Sequence, residues 1–174
     1  ILPHAAAPKR DKTDQAPAHN ESNPGAVIPH LATRTLVALK PVETLLVALD
    51  GTQGATALSV LKYIHDDKVV ATLNARASKN PDPAILATLV RLYHREGGYS
   101  EGWWGTRPDT TGPYYAREKW SGSDAIEAGL KTALAKAPKA TVENVKAQLA
   151  SQKISLKDLP AGTALADNNN ANTP

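Results

Sequence analysis

From Ala26 onward, apolar residues recur along the chain at helical spacing. In AVIPHLATRTLVAL, Val27, Leu31, Leu36 and Leu39 fall close to one i, i+4 face, and Pro29 is compatible only with a first turn. Lys40-Pro41 interrupts the pattern. PVETLLVAL then places Pro41 at the first helical position and Glu43 in the first turn. It groups Val42, Leu45, Leu46 and Leu49 and stops at Asp50-Gly51. GATALSVLKYIH repeats the form through Ala57, Leu58, Leu61 and Ile64. Asp66 or Asp67 caps KVVATLNARAS, whose apolar face is Val69, Val70 and Leu73. Pro81-Asp82-Pro83 opens AILATLVRLYHRE, with Ile85, Leu86, Leu89, Val90 and Leu92 inward. Further on, Ser121 to Asp124 supplies a cap for AIEAGLKTALAKA, which ends at Pro138. Thr141 with Asn144, an imperfect capping box, opens VENVKAQLASQ, where Val142, Val145 and Leu149 share a face. KISLKDLP is a short final segment.

The pattern contains no alternating, strand-like run. Odd-numbered helices begin near Ala26, Gly54 and Pro83, a period of roughly 28 residues, and two helices per unit joined by tight turns mark an α-solenoid. The competing arrangement is an irregular helical bundle. The expected fold class is therefore all-α: short antiparallel helix pairs in a HEAT-like, right-handed α-solenoid with a long aromatic-rich loop. Residues 1–25 and 160–174 read as unordered tails, because segments rich in Pro, Ala, Asn and charge bury too little apolar surface to offset their ordering entropy. Between them lie helical repeats at 26–96, the loop at 97–121 and terminal helices at 122–159.

That loop breaks the pattern. EGGYSEGWWGTRPDTTGPYYAREKW holds Tyr99, Trp103, Trp104, Tyr114, Tyr115 and Trp120, six residues of a chain total of three Trp, five Tyr and no Phe. A connection of about 25 residues in a compact domain is either functional or packed on itself. As a binding platform, its Trp and Tyr faces would cover a sugar or a cation, with Arg107 and Asp109 giving directional hydrogen bonds. As a cap, Trp103 and Trp104 would plug the last helix pair. The side chains suit both roles; the reading is a cap first and a binding surface second.

Composition narrows the chemistry. With no Cys, disulfides, thiolate catalysis, zinc-thiolate sites and c-type haem attachment are excluded. The chain also has no Met and starts at Ile1, so it is expected to be a piece of a longer polypeptide. The formal charge of +3 is spread among acidic residues. Arg107 and Arg117 lie near aromatics, but without a basic stripe no nucleic-acid partner is expected. No run of 18 apolar residues is present, so no membrane span is expected. The histidines His4, His19, His30, His65 and His94 share no metal-ligand spacing. His65 and His94 read as helix-end residues whose positive charge suits the helix dipole. Glu96, Glu101, Asp109 and Glu118 could furnish a carboxylate pair for glycoside hydrolysis, yet no nucleophile elbow, HExxH, GxGxxG or P-loop accompanies them. The expected catalytic set and metal set are both empty.

The helical pairs and the string GWWGTRPDTTGPYY together resemble the helical-repeat region of very large secreted proteins of planctomycetes and their relatives. Those proteins join a sugar-dehydrogenase-like β-propeller to HEAT-type repeats and then to a c-type cytochrome domain with a CxxCH haem motif. The resemblance runs over roughly residues 26 to 137. It is carried by Leu89 to Gly97, Trp103 to Thr110, Gly112 to Tyr115 and the helix at Asp124. It implies a periplasmic or extracellular setting and a parent that is a haem-linked dehydrogenase. This chain departs from the pattern in having neither propeller nor CxxCH, so haem would belong to a missing domain and no cofactor is assigned here. The leading expectation is a non-catalytic scaffold or interaction module whose partners are other domains of a parent polypeptide or a separate protein. A carbohydrate-binding or carbohydrate-processing module using the loop is the alternative.

Overall fold

A computed structural model describes residues 1–6, 24–97 and 117–162 of the protein. Among them it is mostly helical. Seven helices run α1 (Pro24–Leu39), α2 (Val42–Ala48), α3 (Gly54–Leu61), α4 (Asp67–Lys79), α5 (Pro83–Leu92), α6 (Ser123–Leu134) and α7 (Lys139–Ser151). Between α5 and α6 lie two short strands, β1 (Arg95–Glu96) and β2 (Arg117–Glu118). The chain divides into two compact units, Ile1–Ile64 and His65–Pro174, so the stretch 26–96 read as one repeat array spans a division at its centre.

In the first unit, part of the expected unordered tail is built: Leu2–Ala5 forms a 3-10 turn against α1 and α3, with Ala5 buried. α1 begins at Pro24, which puts Pro29 inside the helix rather than in its first turn. The face of α1 also differs from the periodicity. Leu36 and Ala32 are buried, whereas Val27, Leu31 and Leu39 are at least half exposed, as is Ile28. Leu45 and Leu46 of α2 and Ala57, Leu58, Val60 and Leu61 of α3 supply the remaining core, joined by Ile64.

In the second unit the start signals are side-chain carboxylates. Asp66 accepts hydrogen bonds from the backbone N–H groups of Lys68 (2.8 Å) and Val69 (3.4 Å) at the head of α4. Asp82 does the same for Ala84 (2.8 Å) and Ile85 (3.0 Å) at α5, where Pro83 fixes φ for the first turn. Each satisfies donors that a helix N-terminus leaves without partners. α6 and α7 start otherwise. Gly122 and Pro138 precede them without a side-chain cap bond, and Thr141 lies inside α7, so no capping box with Asn144 forms.

α4 packs along α6 and α5, while α5 also packs on α6 and α7. Val69, Leu73, Leu86, Leu89, Leu92, Ile126, Leu130, Leu134, Val142 and Val145 fill the space between them. The α4–α6 approach depends on Gly129: any Cβ there would strike the Asn74 carboxamide, whose Nδ2 donates to the Ala125 carbonyl at 2.8 Å. This unit holds the base of the aromatic stretch.

Candidate functional site

The segment rich in aromatics begins and ends with the same dipeptide, Arg95-Glu96 and Arg117-Glu118. Paired antiparallel, the repeat sets opposite charges face to face, Arg95 against Glu118 and Glu96 against Arg117. Arg95 Nη2 lies 3.4 Å from Glu118 Oε2, and Arg91 Nη2 lies 3.8 Å from Glu96 Oε1. The first is an exposed contact across the pair that specifies register more than it adds stability, and the second joins α5 to β1. The two ends of the stretch are thereby brought side by side.

Above the strand pair sits a denser network at the C-terminal end of α5. A helix leaves its last carbonyls without intrahelical donors. Here three successive carbonyls, from the last helical residue outward, each receive a side-chain donor from a different place. Trp120 Nε1–H donates to the Leu92 carbonyl at 2.8 Å. The Ser123 hydroxyl donates to Tyr93 at 2.7 Å, and His65 Nε2–H donates to His94 at 2.9 Å. Ser123 Oγ also accepts the Trp120 backbone N–H at 3.0 Å, so its hydroxyl is used in both senses while 1% exposed. The His65 ring meets the Trp120 indole edge-on, with centroids 5.2 Å apart. Gly122 makes the geometry possible, since a Cβ there would come within 2.5 Å of the Trp120 ring.

Because the partner of His65 is a carbonyl, Nε2 carries the proton. Burial holds the His65 pKa below its ordinary 6.5, aided by Arg91 and Arg95 and opposed by the carbonyl bond and Glu96. His94 is also held below 6.5, by burial first and then by Arg117 and Lys119. Both imidazoles are therefore neutral at pH 7. This corrects the expectation that each acts as a cation on the end of its own helix. His65 precedes the Asp66 cap of α4 and serves the far end of α5 as a neutral donor. Nearby, Lys119 Nζ lies over the Tyr93 ring at 5.4 Å and 3.5 Å from Asp124 Oδ1, and the Tyr93 hydroxyl reaches Glu127 Oε2 at 3.4 Å.

The chemistry of this arrangement is that of a fastener. Ser123 is enclosed and committed to backbone groups, His65 faces a carbonyl rather than a hydroxyl, and Glu96 and Glu118 each face an arginine. Among the described residues no group of three His, Asp or Glu side chains is placed to hold a metal ion, and no helix is long and apolar enough to cross a membrane. Of the residues read as a ligand surface, Tyr99, Trp103, Trp104, Arg107, Asp109, Tyr114 and Tyr115 lie outside the described residues, as do Glu101 and His19. Trp120 is described, and its half-buried indole is turned onto the end of α5. Sequence reading missed His65 and Ser123 as its partners. The Arg-Glu dipeptide repeated at both ends of the stretch signals the strand pair and not these partners.

No protein-family model matches this chain, and searches of curated proteins and of solved structures returned no match.

Proposed function

We propose that the protein is a non-catalytic helical interaction module whose frame fastens both ends of an aromatic segment and offers that segment to a protein partner or to neighbouring domains of a parent polypeptide. The observation that carries this reading is the capping of three successive α5 carbonyls by Trp120, Ser123 and His65. The polar groups at this place are spent on backbone, as in a positioning device, and none pairs a base with a nucleophile. Exposed apolar side chains on α1, among them Val27, Ile28 and Leu31, offer a scaffold further contact area.

The HEAT-like stack belongs to the same proposal. In the second unit α4 packs on the next helix and the one after, and α5 does likewise, the neighbour pattern of helical repeats. The resemblance to the helical region of large secreted propeller–cytochrome proteins supports a place outside the cytoplasm, with haem chemistry confined to another domain. The density of Trp and Tyr in the segment favours one other reading, a carbohydrate-binding or carbohydrate-processing module.

Tryptophan fluorescence titrated with neutral and acidic oligosaccharides separates the two. All three Trp residues lie in or beside the segment, so the interaction module predicts no saturable shift with any glycan and no released sugar. A saturable shift that disappears in Trp103→Ala or Trp104→Ala would establish the carbohydrate reading instead.

A further inference from the structure

Two histidines occupy the fastening. His65 bonds the His94 carbonyl and abuts the Trp120 ring, and the His94 ring stacks edge-on against Tyr93 at 4.8 Å. One bond thus links both residues, and the ring that leans on His65 is the one that ties β2 to α5. The charged groups around them come from every element nearby. Asp66 and Asp67 lie at the head of α4; Arg91, Arg95 and Glu96 lie along α5 and β1. Arg117, Glu118 and Lys119 follow from β2, with Asp124 and Glu127 from α6.

The acids in this set are already engaged. Asp66 caps α4, Asp67 accepts the Ser121 hydroxyl at 3.3 Å, and Glu96 and Glu118 face Arg91 and Arg95. Asp124 faces Lys119, and Glu127 is bonded to Lys131 at 2.9 Å, which holds its carboxyl below the usual range. The cations felt by the histidines are Arg91 and Arg95 at His65, and Arg117 and Lys119 at His94. His94 Nδ1 and Arg117 Nη1 are both buried with no hydrogen-bond partner among the described residues. An added proton on either imidazole would therefore enter a half-buried, cation-rich place in which, among the described residues, each nearby carboxylate already has another partner.

We propose that the His65–His94 pair makes this fastening acid-sensitive, so that the base of the aromatic segment is closed at neutral pH and opens more readily as pH falls below the ordinary histidine range. This rests on the segment being the working part of the module, and it names how that part is regulated. Release lets both rings take protons from solvent in full hydration. The sign follows from linkage. Each histidine has a lowered pKa in the closed state and the ordinary value once open. The stabilisation it gives is thus complete above about pH 6.5 and is lost as pH falls through the closed-state value. Within that window, each histidine raises the opening constant by at most about tenfold per pH unit, and the pair by at most about a hundredfold.

The test follows the intact chain by NMR between pH 7.5 and pH 5. The histidine ring resonances report protonation, and the Trp120 indole N–H, corrected for intrinsic exchange, reports opening. Expected are closed-state titrations of His65 and His94 below the ordinary histidine value and a rise in Trp120 exchange as pH falls, by no more than about a hundredfold per pH unit. Core amides such as Leu130 should stay protected, and the rise should be absent in a His65→Gln, His94→Gln double variant, whose amides keep a donor without a charge. Ordinary titration of both rings, or Trp120 exchange that does not depend on pH, overturns the proposal. So does a parallel rise at Leu130, which would mean global acid unfolding. The wild-type ring titrations stand even if the double variant fails to fold. No ligand enters these readouts, so a glycan response would overturn the interaction-module reading separately.

Discussion

Ser123→Ala removes one oxygen from the middle of the fastening, and the loss can be worked from the geometry. Its hydroxyl donates to the Tyr93 carbonyl at 2.7 Å and accepts the Trp120 N–H at 3.0 Å, with only 1% of the residue exposed. Alanine fills nearly the same volume, so no large cavity forms and the cost is that of two orphaned polar groups. A buried group left without a partner costs about 1–3 kcal/mol. The Tyr93 carbonyl should bear most of that, because Trp120 is half-buried and its N–H can turn to water. Alanine returns up to about 0.5 kcal/mol as the better helix former in the first turn of α6. The net expectation is a loss of about 1–3 kcal/mol, a large share of the roughly 5–15 kcal/mol that holds a domain together. Urea unfolding followed by far-ultraviolet circular dichroism reads it directly. With a slope of about 1–3 kcal/mol per molar urea, the midpoint should fall by roughly 1 M. Ser121→Ala is the control: that hydroxyl is exposed, and its 3.3 Å bond to Asp67 predicts a change within about 0.5 kcal/mol. If Ser123→Ala unfolds together with the control, the carbonyl-capping network does not hold the segment's base.

Other substitutions test separate parts of the frame. Gly129→Ala displaces the Asn74 carboxamide but regains about 1 kcal/mol of helix propensity in α6, so a net loss of up to about 2 kcal/mol is expected in a thermal melt. Asp82→Ala removes the acceptor for two N–H groups of α5 and should cost about 0.5–2 kcal/mol in the same melt, whereas Asp82→Asn should retain most of the cap. Val47→Asp, at a position 75% exposed on α2, should change stability by less than about 0.5 kcal/mol. A large loss there would show that the side chain is covered in solution.

Helix periodicity located each helix among the described residues and most of the second unit's core. Val69, Leu73, Leu86, Leu89, Val142 and Val145 fall on the apolar faces that the spacing predicts, and all are buried. The caps at Asp66 and Asp82 were legible because an Asp ahead of an apolar run has one local job. Periodicity failed on α1, where an apolar row is spaced as a core face yet Val27, Leu31 and Leu39 meet solvent. Spacing shows which side chains share a face, and whether another element covers that face depends on contacts distant in sequence. The fastening was illegible for the same reason. Trp120 reaches back 28 residues to Leu92, and His65 reaches forward 29 to a backbone oxygen of His94. A side chain bound for a carbonyl leaves no motif, since every residue offers one. Ser123 was read as part of a helix cap, the common use of a serine there, whereas its hydroxyl serves the end of another helix.

The central claim is that Trp120 ties the end of the aromatic segment to the end of α5. Hydrogen exchange of the three indole N–H groups at neutral pH addresses it most directly, with the Trp120 signal identified by its loss in Trp120→Phe. A bond at 2.8 Å to the Leu92 carbonyl, beneath a half-buried ring, predicts an indole N–H that exchanges at least about a hundredfold more slowly than a free one. A Trp120 indole that exchanges at the rate of a fully exposed tryptophan would contradict it.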